Sequence, residues 1–72
     1  MPAVDLPLRG EFITLDALLK ATGLASSGGE AKALIVGGAV QVNGEVETRR
    51  GRKLRAGDTV ALNERQVRVQ AG

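Results

Sequence analysis

A chain of 72 residues with no histidine and no cysteine has room for one small hydrophobic core. It lacks the usual zinc ligands, an imidazole base, a thiolate nucleophile and any disulfide framework, which excludes a multidomain enzyme and most side-chain catalysis. The net charge is only +2, yet positions 37–72 hold seven basic and four acidic residues against three and four in positions 1–36, and five of the seven lie in the run RRGRKLR at 49–55.

In chain order, residues 1–10 read as an extended N-terminal arm, because two prolines and Asp5 interrupt any apolar run. The remainder, 11–72, reads as one domain. Residues 11–13 are expected as a short edge strand. Leu15, Leu18 and Leu19 then stand at the i, i+3, i+4 spacing of a helix over 14–21, with Thr14 as its cap, Asp16 in its first turn and Gly23 beyond its end. Ser27 and Glu30 form a capping box that starts a second helix at Gly28; Ala31, Leu34 and Ile35 share one face of it, and Gly37-Gly38 ends it. From Val40 the period changes from 3.6 to 2. Val40 and Val42 alternate with Gln41 before Asn43-Gly44, the strongest two-residue hairpin signal. Val46 continues on the returning strand, with Glu45 and Glu47 expected on one exposed face. Beyond the basic run, Ala56-Gly57-Asp58 turns the chain into a strand with Val60 and Leu62 inward, and 63–65 turns it into a last strand with Val67 and Val69 inward. The result is an α+β fold, two N-terminal helices packed on a small antiparallel sheet. Nothing reads as a signal peptide or a membrane span, so a cytoplasmic protein is expected.

The string ITLDALLKATGLASSGGEAKALIVGGAVQVNGEVETRRGRKLRAGDTVAL resembles the RNA-binding domain first known from ribosomal protein S-four. The resemblance rests on Leu15-Asp16, Ser27, Ala31-Lys32, Leu34-Ile35, Gly38, the Val-x-Val-Asn-Gly hairpin at 40–44 and Gly57-Asp58. The Ser-Gly-Gly-Glu-Ala-Lys and Arg-Arg-x-x-Lys-Leu segments are most similar to the free-standing bacterial members called YbcJ-like. This resemblance implies an alpha-L type module that docks on structured RNA, ribosomal or transfer RNA, as a monomer without cofactor. Relatives often carry Arg after the helix-opening Ser, where this chain has Gly28.

The residues themselves point the same way. Five cations in seven positions attract phosphates and release their counterions, and Gly51 allows a turn in which they converge. Arg49, Arg50, Arg52 and Lys53 are therefore the expected RNA contacts. A second contact is expected at the start of the second helix, where Gly28 and Gly29 leave backbone amides uncovered, Ser27 adds a hydroxyl and Lys32 lies about 40° round the helix from Gly28. With Phe12 as the sole ring, there is no set of aromatic platforms for bases. No catalytic residue and no metal site is expected. A helix-turn-helix DNA binder is the weaker reading, because Gly28, Gly29, Ala33 and Val36 offer nothing to base edges. A sulfur carrier would end in Gly-Gly rather than Ala71-Gly72. A small protein adaptor whose basic loop meets an acidic partner is the alternative that remains.

Overall fold

The computed structural model describes residues 3–72. In chain order they form strand β1 (Ala3–Pro7), strand β2 (Ile13–Thr14), helix α1 (Leu15–Ala21), helix α2 (Gly28–Val36) and strands β3 (Val40–Val42), β4 (Glu45–Val46), β5 (Lys53–Leu54), β6 (Thr59–Leu62) and β7 (Arg65–Gln70). A five-stranded sheet has the order β1-β7-β6-β3-β4, and β2 pairs with β5 in a separate two-stranded ladder. The α+β arrangement of two helices on a sheet is as expected from the sequence.

The periodicities account for the packing. Val40, Val42, Val60, Leu62, Val67 and Val69 are buried while Gln41, Thr59, Gln66 and Arg68 between them are exposed, so one sheet face is covered and the other open. Leu15, Leu18 and Leu19 of α1 and Ala31 and Ile35 of α2 complete the same aliphatic cluster. The turns follow the sequence too. Asn43 and Gly44 both take positive φ, at 52° and 86°, as a type I′ hairpin requires. In the capping box the Glu30 amide donates to Ser27 Oγ at 3.1 Å, but the Glu30 carboxylate accepts from the Ser26 amide, one residue before the cap.

Two features differ from the sequence reading. The sheet is mixed rather than antiparallel, because β1 pairs in parallel with β7, Val4 opposite Val67 and Leu6 opposite Val69. Residues 1 and 2 of the expected arm lie outside the described residues. The part that follows is a sheet strand, with Leu6 half-buried and Leu8 in the core. Pro7 is tolerated because β1 is an edge strand. Secondly, the edge strand expected at 11–13 is shifted to Ile13–Thr14, with Ile13 opposite the fully buried Leu54.

Candidate functional site

The basic run owes its shape to an acidic residue. Strand β4 sets Val46 opposite the exposed Gln41 and Glu45 opposite the buried Val42, so the next residue, Glu47, falls opposite the buried Val40. The Glu47 amide donates to the Val40 carbonyl at 3.0 Å, and the side chain turns inward, leaving the residue 7% exposed. Glu47 therefore does not share the exposed face expected for it and Glu45. Its carboxylate accepts from the Arg49 amide (3.1 Å), Arg49 Nε (3.2 Å), Arg49 Nη2 (3.2 Å) and Arg52 Nη1 (2.7 Å). The Arg49 guanidinium first, then that of Arg52, holds its pKa down to about 2. A carboxylate with this many charge-assisted bonds stays ionised at any ordinary pH and fixes both arginines.

The backbone of the run is tied down separately. The Arg52 amide donates to the Arg49 carbonyl at 3.3 Å, closing a turn around Arg50 and Gly51. Gly51 is not among the residues with positive φ, and a Cβ on it would meet nothing within 4 Å, so the turn does not depend on glycine. The carbonyls of Arg52 and Arg50 then accept from the Leu15 and Asp16 amides at 2.9 and 3.1 Å. These are the first amides of α1, which would otherwise lack intrahelical partners. The expected cap, Thr14, makes no side-chain capping bond. Thr14 acts on Asp16 instead, as the main cause of that carboxyl's lowered pKa. The loop carbonyls thus replace the side-chain cap and fasten the cationic loop to the helix.

Beyond the turn, β5 places Leu54 in the core, with Lys53 and Arg55 exposed on either side of it. Lys53 Nζ lies 5.0 Å and Arg55 Cζ 5.9 Å from the centre of the Phe12 ring, which is 42% exposed. Arg55 is held further by its amide, which donates to Asp58 Oδ2 at 2.9 Å and is the main cause of the lowered Asp58 pKa. Among the described residues, Arg50, Lys53 and Arg55 have no ion-pair partner, whereas Arg49 and Arg52 share Glu47.

The fold thus brings Arg49 and Arg52 together on Glu47, sets Lys53 with Arg55 at Phe12, and leaves Arg50 exposed in the turn between them. Ser27, Gly28 and Lys32 are all exposed at the start of α2, and no hydrogen bond or ion pair joins them to the loop among the described residues. Nor do three His, Cys, Asp or Glu side chains come together there as metal ligands. The reading from sequence missed Glu47 and Phe12. Glu47 was marked only by being the one acid close to the run on its N-terminal side. Phe12 reaches the run through the β2–β5 pairing, which local sequence does not announce.

Comparison with known proteins places these features in a family. The chain is 44% identical over 59 residues to the Escherichia coli (strain K12) protein named "Putative RNA-binding protein YbcJ", covering 82% of this chain and 84% of that one. It is 46% identical over 52 residues to the Bacillus subtilis (strain 168) protein named "Probable ribosome maturation protein RlbA", covering 72% and 73%. The solution structure of E. coli YbcJ, described as revealing an alpha-L motif involved in RNA binding, superposes with a TM-score of 0.75 at 38% identity, covering 99% of this chain and 91% of that one. The family model of the S4 domain matches residues 6–70, from β1 to the end of β7, and the chain therefore belongs to the S4 domain family.

Proposed function

We propose that this protein is a non-catalytic module that binds structured RNA through backbone phosphates and shape. The observation that carries this reading is the cationic loop at 49–55, folded into a turn, fastened to α1 by its own carbonyls and organised around one buried carboxylate. Two of its cations, Arg49 and Arg52, are held by Glu47 before any ligand arrives, so less ordering entropy is lost on binding. Arg49, Arg50, Arg52 and Lys53 take the phosphates of the main contact. Ser27, Gly28 and Lys32 hold one further phosphate at the start of α2, where no acceptor among the described residues meets the amides of Gly28 and Gly29. Membership of the S4 domain family and the RNA-binding name of YbcJ support the ligand class. The name of RlbA favours ribosomal RNA, with transfer RNA as the second candidate. The module works in the cytoplasm without a cofactor.

The test is crosslinking in cells followed by sequencing of the attached RNA. Enrichment of ribosomal RNA segments is expected, and it should fall sharply in the double variant Arg50→Ala, Lys53→Ala, which leaves the Glu47 ion pairs in place. Recovery of no RNA, or of an acidic protein instead, would contradict the reading.

A further inference from the structure

The ring that the basic loop gathers is unnecessary for a pure phosphate grip. Phe12 is the only aromatic side chain of the protein and is 42% exposed. The β2–β5 register sets Ile13 opposite Leu54, so continuing it by one residue puts Phe12 across from Arg55, on the outer side of the ladder with Lys53. Both cations lie over the ring, Lys53 Nζ at 5.0 Å and Arg55 Cζ at 5.9 Å from its centre. The ring also borders an open groove lined by Leu8, Arg9, Gly10, Ile13, Ala17 and Ala21. An exposed ring with two cations over it that have no ion-pair partner among the described residues matches one chemical object in an RNA, a base unstacked from its helix together with its own phosphates. The base offers a π-face, and the phosphates offer the charge.

We propose that Phe12 is a stacking platform for a single unpaired nucleotide, whose phosphates are taken by Lys53 and Arg55. The proposal rests on the RNA-binding reading above and adds selectivity to it. Arg49, Arg50 and Arg52 grip the paired part of the RNA, Lys53 stands where that grip meets the unpaired nucleotide, and Phe12 selects a helix that carries a bulged or splayed base. One ring suffices, because every base has a π-face and only one is received.

Two RNA hairpins with the same stem test this, one fully paired and one with a single bulged nucleotide, titrated against the parent, Phe12→Leu, Phe12→Trp and Arg50→Ala. The parent is expected to favour the bulged hairpin by roughly five- to a hundredfold, the range that removing a stacked base covers. Phe12→Leu should lose that preference while keeping the parent's affinity for the paired hairpin and its melting temperature. Phe12→Trp should retain the preference. Since the chain has no Trp or Tyr, the fluorescence of this variant reports on one position, and it should be quenched by the bulged hairpin and not by the paired one. Arg50→Ala should weaken both hairpins alike. A Phe12→Leu variant that keeps the preference, or loses affinity for both hairpins equally, overturns the stacking role and leaves the phosphate grip standing. A parent that binds neither hairpin overturns the phosphate grip and the stacking role with it.

Discussion

Asn43 joins two turns that are distant in sequence. Its amide Nδ2 donates to Asp58 Oδ1 at 3.0 Å, and its Oδ1 accepts from the Thr59 amide at 2.9 Å. The type I′ turn alone is enough reason for Asn at this position, so the sequence reading stopped there; that the same side chain staples the Gly57-Asp58 turn is a fact of strand pairing. Asn43→Gly separates the two roles, because glycine keeps the positive φ and loses the staple. We expect a loss of about 1 kcal/mol, or roughly 4–8 °C in Tm, measured by thermal unfolding. Glu47 supplies the second prediction at this scale. Its folded pKa of about 2 lies below the ordinary 4.5, so the unfolded chain takes up its proton first as pH falls. The stabilisation is complete above pH 4.5 and disappears progressively toward pH 2. Denaturant midpoints measured from pH 6 to 2 should show the parent well above Glu47→Gln near neutrality, with the gap closing across this window. A gap that stays constant with pH would mean that the carboxylate charge contributes nothing. Glu47 escaped the sequence reading because the face shared by Glu45 and Glu47 was taken as the outer one, whereas the register sets Glu47 opposite the buried Val40 and turns Val46 outward.

Among the elements, helices and hairpins were legible and the distant pairings were not. Leucine spacing, the Ser27–Glu30 box and Asn43-Gly44 act over three or four residues, and each appears as the local chemistry dictates. Strand β1 is held by residues at the other end of the chain, and a parallel pair has no turn signal of its own. Val4, Leu6 and Leu8 alternate in the sequence, but the reading stopped at an extended arm, because nothing local names β7 as its partner. The site divides in the same way. Its cations were readable from composition, while the buried carboxylate, the ring and the capping of α1 by loop carbonyls depend on tertiary structure. The contribution of α2 can be tested directly. A Cβ on Gly28 would meet nothing within 4 Å, so either charge fits there. Gly28→Arg should tighten RNA binding several-fold by placing a cation beside the proposed phosphate. Gly28→Glu should weaken binding while raising Tm slightly, because an acid in the first helical turn complements the dipole. Equal affinities for the two variants would place α2 outside the binding surface.

For the molecule as a whole, a net charge of +2 understates the field that an approaching RNA meets. The cations are concentrated in one loop whose backbone is fixed to α1, and only Glu47 among its close partners neutralises part of that charge. Arg49 and Arg52 also hold that carboxylate, so replacing them disturbs the fold, whereas Arg50 and Lys53 have no ion pair among the described residues. The double variant Arg50→Ala, Lys53→Ala is therefore the clean probe of the phosphate grip. The decisive measurement is the affinity of parent and double variant for a structured ribosomal RNA fragment across a range of salt concentrations, with melting temperatures recorded alongside. If about four phosphates are neutralised, the slope of log affinity against log salt should have a magnitude near 3 for the parent and about half that for the double variant, at unchanged Tm. An affinity independent of salt, or equal slopes for the two proteins, would contradict the account.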